Sequence, residues 1–176
     1  MTTSRLNWIV LLPLLVLHPA SLAAQEKPRT LAEELPRIKA TEPKDALKTF
    51  EVQKGFKLEL VASEPMVSDP VDGCFDENGR MFVAEMHGYP FSQEPTRLNP
   101  NGGGKPDAGI VRLLEDTDGD GKMDRSVVFA DKLRWPTSVC CYDGGVFVLA
   151  PPTLWWFKDT TGDGKADIRH RVFDGF

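Results

Sequence analysis

The chain has 176 residues, 26 of them acidic and 21 basic, for a formal net charge of −5, and 41% are hydrophobic. That length suits one domain with one modest core. An acidic balance excludes nucleic acid as a partner, because phosphate neutralisation needs clustered Lys and Arg, and no basic amphipathic stretch points to a membrane surface.

Residues 1–23 read as a signal peptide. Arg5 supplies the positive n-region, the run from Trp8 to Leu17 is the apolar core, and Ser21-Leu22-Ala23 offers small residues for cleavage. The competing reading is a membrane anchor. The run is about ten residues with Pro13 inside it, roughly half of what a bilayer span needs, which favours cleavage near Ala23 or Ala24. The expected location is therefore outside the cytoplasm, in the periplasm, cell envelope or extracellular space. Loss of Arg5 makes the mature chain one unit more negative.

Residues 24–49 form a charged leader interrupted by Pro28 and Pro36. Within it Thr41-Glu42-Pro43, followed by Lys44-Asp-Ala-Leu-Lys48, predicts a short capped helix with Pro in its first turn. Strand signals take over in 50–176. Phe56-Lys-Leu-Glu-Leu60 alternates strictly, as a half-buried strand should. Further runs at 80–85, 110–114, 126–130, 146–150, 154–157 and 169–173 are short and bounded by Gly, Pro or Asp. The fold class expected is all-β.

An internal repeat sharpens this. Val111-Arg-Leu-Leu-Glu-Asp-Thr-Asp-Gly-Asp-Gly-Lys-Met-Asp124 recurs as Leu154-Trp-Trp-Phe-Lys-Asp-Thr-Thr-Gly-Asp-Gly-Lys-Ala-Asp167, at an offset of 43. A second echo relates the segment from Pro70 to Ala84 to that from Pro136 to Leu149 at an offset of 65 to 66; the first unit carries an extra Pro- and Gly-rich loop between His87 and Ala108. A period in the low forties with four short strands per unit marks a β-propeller blade. The chain holds about two such units, whereas a closed propeller needs at least four. The expectation is an incomplete propeller, the N-terminal portion of a longer protein, with a non-functional truncated fragment as one alternative.

The sharpest motif is Asp116-Thr-Asp118-Gly-Asp120-Gly121-Lys122-Met-Asp124. Calcium wants six to eight oxygens, and this spacing offers carboxylates at loop positions one, three, five and nine, the Lys122 carbonyl at seven, and Gly at six for the turn. Position twelve is Val127 rather than Glu and the flanks are strands, so an EF-hand is not expected. The copy supplies Asp159, Thr161, Asp163, the Lys165 carbonyl and Asp167, one carboxylate fewer, and should bind more weakly. The competing reading is that Asp and Gly simply build tight turns.

A second candidate site is Glu85-Met-His87-Gly-Tyr89-Pro90, where a strand meets the long loop. His87 is the positional candidate for a catalytic base; the competing role is to anchor the loop. His170 on a strand reads as structural, and Trp155 and Trp156 as packing rather than a sugar platform. Cys74, Cys140 and Cys141 read as small strand residues, with a disulfide from Cys74 to Cys140 or Cys141 open. No Cys-x-x-Cys-His occurs, so this chain cannot attach haem c that way.

Taken together, the stretch from Thr49 to Pro65, Asp69-Pro70, Gly79-Arg-Met-Phe-Val-Ala-Glu-Met86, Gly88-Tyr-Pro90 and both Asp-Gly-Asp-Gly loops resemble one family. It is the secreted "membrane-bound dehydrogenase" propeller, or haem-binding, family of planctomycete-type (PVC) bacteria, itself similar to glucose/sorbosone dehydrogenase propellers. The resemblance runs from about Glu42 to Phe176. It implies a six-bladed propeller, export, and oxidation of a sugar or similar alcohol, with pyrroloquinoline quinone as a cofactor in some relatives and electrons passed to a C-terminal haem c. The blades and haem region that such an enzyme needs are absent from this sequence, and no catalytic residue maps by motif. The alternative from another class is a non-catalytic propeller that binds carbohydrate or protein, with calcium purely structural.

Overall fold

In a computed structural model the described residues are 39–175. The expected signal peptide and most of the leader lie outside them. The helix of the leader is α1 (Pro43–Ala46), continued by a 3-10 turn at Leu47–Thr49. Pro sits in its first turn as expected, but Glu42 is the N-cap and no side chain caps it. Among the described residues, no helix is long and apolar enough to cross a membrane.

Eight strands follow: β1 (Pro70–Phe75), β2 (Met81–Glu85), β3 (Gly109–Glu115), β4 (Arg125–Leu133), β5 (Ser138–Tyr142), β6 (Gly145–Ala150), β7 (Thr153–Lys158) and β8 (Ile168–Asp174). They form two four-stranded antiparallel sheets in simple meander order, β1-β2-β3-β4 and β5-β6-β7-β8. Both sheets belong to one unit, Thr41–Phe176. The all-β expectation is met at this level.

The strand expected at 56–60 is absent from both ladders. Its residues are exposed, Phe56 by 74%. Alternation makes a strand only where a neighbour accepts its hydrogen bonds, and neither ladder pairs with this segment. Conversely, β1 and β5 were not among the expected runs: Asp72 and Gly73 of β1 are poor strand formers, and β5, Ser-Val-Cys-Cys-Tyr, is short and without clear alternation. They form because β2 and β6 template them in register, Cys74 opposite Phe82 and Cys140 opposite Phe147.

One core lies between the sheets. Phe82, Ala84, Val111, Leu113, Phe129 and Leu133 of the first meet Val139, Val146, Val148, Ala150 and Phe157 of the second. Phe82 and Phe129 meet edge to face, centroids 4.8 Å apart. A smaller cluster covers the other face of the first sheet, where Val83, Leu114 and Met123 pack with Val67 and the half-buried Val61, Ala62 and Met66. Faces alternate along a strand, so Phe82 and Ala84 serve one core while Val83 serves the other, and β2 is buried on both sides.

The two packings repeat each other. The Met123 amide donates to the Val61 carbonyl at 2.9 Å, and the Ala166 amide donates to the Phe129 carbonyl at 2.8 Å. Met123 and Ala166 stand at matching places of the two acidic loops. The segment around Val61 therefore holds against the first sheet the place that β4 holds against the second. The backbone just before Pro70 and Pro136 repeats too: Asp69 and Trp135 both take positive φ, 48° and 45°.

Candidate functional site

Antiparallel order sends connections alternately to the two ends of a sheet. Ser68 and Asp69, the β2–β3 connection (86–108) and the β4–β5 link (134–137) gather at one end, while Val61 lies toward the other, its carbonyl accepting the Met123 amide. The acidic loops, 116–124 and 159–167, follow β3 and β7 and sit at the other. The two candidate sites read from sequence are thus at opposite ends of the strands.

At the long-loop end, Glu85 closes β2 with its side chain fully buried. A buried carboxylate needs a partner and full hydrogen bonding. Arg112 on β3 supplies both as a fork, Nε donating to Oε1 at 2.6 Å and Nη2 to Oε2 at 3.0 Å. The Ser68 amide donates to Oε1 at 3.1 Å. Arg112 Nη1 also donates to Ser126 Oγ, which in turn donates to the Met66 carbonyl. This network ties segment 61–69 to the first sheet.

His87 stands two residues beyond Glu85, on the same side, and is only partly exposed. Its Nε2 lies 3.0 Å from Glu85 Oε2 and its Nδ1 lies 3.1 Å from Asp69 Oδ2. A doubly protonated ring satisfies both carboxylates, whereas a neutral ring donates to one only. His87 therefore has no free nitrogen in this arrangement. Nearby, the Tyr89 and Trp135 rings meet edge to face, centroids 5.6 Å apart, and Arg134 lies over the Trp135 ring. Among the described residues the buried Trp135 Nε1 finds no acceptor. Asp69, Pro70, Met86, Gly88 and Tyr89 border a shallow open pocket here.

Sequence reasoning found Glu85, His87 and Tyr89 but missed Asp69, Arg112 and Trp135 as their partners. Arg112 left one signal: it is the lone charge in the apolar run from Ile110 to Leu114, and a charge inside a buried strand calls for a counter-charge.

At the other end, carboxylate oxygens of Asp116, Asp118 and Asp120 lie within 4.8 Å of one another. Asp116 accepts the Gly119 and Gly121 amides at 2.7 and 2.8 Å. Asp118 accepts the amide of Asp120, and Asp120 that of Lys122. The Gly121 and Gly119 amides hold the Asp116 carboxyl below its ordinary value. Asp124 is not brought into the trio; its carboxylate accepts from the Thr117 hydroxyl and amide. Asp167 does the same with Thr160 in the second loop, which also lowers its carboxyl below the ordinary value.

In that second loop Asp159 accepts the Gly162, Gly164 and Thr161 amides, and Asp163 accepts that of Lys165. Desolvation pushes the Asp159 carboxyl up, but those amides outweigh it and leave it lowered. Thr161 turns its hydroxyl to Asp159, 3.2 Å away. These bonds also show how the turn reading works: each acid caps the amides of its own loop. A carboxylate oxygen that accepts one amide keeps a second lone pair, so the capping leaves the first trio able to face a cation.

The family comparison matches over residues 42–176, the helix of the leader and both sheets, under the description Domain of unknown function (DUF7133). The chain belongs to this family. The matched region contains Glu85, His87, Arg112 and both acidic loops. No curated protein and no solved structure matches the chain.

Proposed function

We propose that this DUF7133 chain contributes two blades to an exported β-propeller oxidoreductase that oxidises a sugar or similar alcohol, with substrate met at the long-loop end and calcium bracing the acidic loops at the other. The blade reading is supported by the four-strand meander, the 43-residue period and the repeated hydrogen bonds of Met123 and Ala166. Segment 61–67 stands where an outermost strand of a preceding blade would, and the far face of the second sheet leaves Tyr142 and Val172 exposed, as an uncovered blade face would.

The observation that carries the functional reading is the cluster at the long-loop end. Asp69, Glu85, His87 and Arg112 are linked there, and at the same end Trp135, packed on Tyr89, carries an indole N–H that finds no acceptor among the described residues. A sugar hydroxyl is the sort of group that such a donor and carboxylates recognise. His87 acts as a base only when Asp69, exposed at the surface, releases Nδ1; Glu85 then holds the ring through Nε2. The oxidation needs an electron acceptor. Pyrroloquinoline quinone is polyanionic, and the residues at this end do not fit it: Arg112 is committed to Glu85 and Asp69 adds negative charge. No step is assigned through it, and the acceptor belongs to parts outside these two blades.

One observation favours a second reading, a non-catalytic propeller that binds carbohydrate or protein: both His87 nitrogens are engaged. The experiment is sugar-dependent reduction of an artificial dye acceptor by the native protein from its source, beside calorimetry with the same sugars. Dye reduction that His87→Gln abolishes, with the circular dichroism unchanged, supports the enzyme. Sugar binding without reduction supports the binding module. Neither signal across a broad sugar panel overturns the carbohydrate reading altogether.

A further inference from the structure

Cys74 and Cys141 sit on the first strands of the two sheets, β1 and β5, 67 residues apart in sequence, and their sulfur atoms approach to 3.1 Å. Both are half-buried against the core between the sheets. Close by on the same strands, Asp72 Oδ2 accepts the Ser138 hydroxyl at 2.7 Å and the Val139 amide at 2.9 Å. Two polar ties therefore fix β1 alongside β5, and they set the register that brings the thiols together. A disulfide bond is about 2.05 Å long, so closing this gap takes a shift of about 1 Å, within the reach of a small side-chain rotation.

We propose that Cys74 and Cys141 form a disulfide that staples the two sheets together, leaving Cys140 as the free thiol. Sequence spacing left Cys140 and Cys141 equally open as partners. Adjacent strand residues point to opposite faces, so only one of the two can look back toward the first sheet. Cys140 is exposed, and its sulfur lies 3.8 Å from the Cys141 carbonyl. By the repeat, Cys140 stands at the place of Cys74 and faces away from the first sheet.

The chemistry is thiol–disulfide exchange with a disulfide oxidant, which suits an oxidising compartment. The Cys74 thiolate attacks the oxidant's disulfide, forming a mixed disulfide and expelling one thiolate. Cys141 then gives its proton to solvent and attacks Cys74 Sγ, expelling the second thiolate. Two protein thiols are oxidised and one oxidant disulfide is reduced to two thiols. Burial pushes both thiols up, Cys141 the more strongly, with the neighbouring Cys74 adding to it. Attack therefore starts from Cys74, and the rate rises as the solution is made more alkaline.

The test treats the full chain with oxidised glutathione, then counts thiols and maps linked peptides by non-reducing digestion, with fragmentation between Cys140 and Cys141. The proposal expects loss of two of the three thiols and a Cys74–Cys141 link in the unmodified chain. The same link forms in Cys140→Ser, and Cys141→Ser yields no internal link. All three thiols surviving in the folded chain, or a Cys74–Cys140 link forming as fast in Cys141→Ser, overturns it. Mapping in the unmodified chain keeps the outcome decisive where a variant fails to fold.

Discussion

Replacing Glu85 by Ala should destabilise the domain more than any other single surface-distant polar change in the first sheet. The Glu85 side chain is 0% exposed and that of Arg112 18%. Their shortest contact, 2.6 Å, corresponds to a gross attraction of about 6 kcal/mol at an effective dielectric of about 20. Desolvation of two buried ions costs several kcal/mol each, so the intact pair nets little, whereas removing one partner strands the other. Glu85→Ala also leaves the Ser68 amide and His87 Nε2 without their partner. The expected loss is about 3–5 kcal/mol, or roughly 10–20 °C in Tm for a domain of this size. Urea unfolding followed by circular dichroism measures it. The double variant Glu85→Met with Arg112→Met removes both charges and keeps the volume, and should return to within about 1 kcal/mol of the parent. A loss below about 1 kcal/mol for Glu85→Ala, or strictly additive losses in the double variant, would show that the network does not hold segment 61–69 and refute the reasoning.

Three further outcomes are expected. The parent chain is expected to gain Tm on adding calcium in differential scanning, and Asp118→Ala and Asp120→Ala should each reduce that gain; no gain in the parent, or equal gains in both variants, leaves the acidic trio with a turn role only. The Ser138 hydroxyl and the Val139 amide lower the Asp72 carboxyl from its ordinary 3.8. The unfolded chain then binds this proton at higher pH than the folded one, so the contribution of Asp72 is complete above pH 3.8 and fades as pH falls through the lowered value. Asp72→Asn should therefore be less stable than the parent at about pH 6, by about 1–2 kcal/mol, with the gap shrinking in acid; a pH-independent gap contradicts this. At Gly88, φ is +78° and an added Cβ would fall 2.3 Å from the Lys105 carbonyl oxygen. Gly88→Ala should open the base of the long loop, at a cost of about 1–3 kcal/mol, and speed tryptic cleavage after Arg97, which Leu98 follows. Unchanged cleavage would mean that the loop is closed by other contacts.

Much of the architecture is written locally. Six of the seven expected strand runs lie in the two sheets: in five the apolar pattern coincides with a buried face, while 169–173 is exposed and held by its pairing with β7. The seventh, 56–60, carries the right alternation but no sheet edge receives it. The strands β1 and β5 were hidden for the opposite reason: β1 carries the poor strand formers Asp72 and Gly73, β5 is short and without clear alternation, and the neighbouring β2 and β6 draw both into place. The acidic loops were equally legible, since their spacing alone aligns Asp116, Asp118 and Asp120. Asp124 and Asp167 departed from that pattern because the hydroxyls of Thr117 and Thr160, seven residues earlier in each case, compete for the same carboxylates.

By itself, then, the sequence determined the all-β class, the repeat and the short-range turn chemistry, because these depend on residues within a few positions of one another. Only the tertiary structure decided that Arg112 answers Glu85, that Asp69 and Glu85 flank His87, and that Cys141 rather than Cys140 meets Cys74. Each of those pairings joins residues on separate elements, and which face of a strand meets which neighbour is fixed by the packing of the two sheets, not by spacing along the chain.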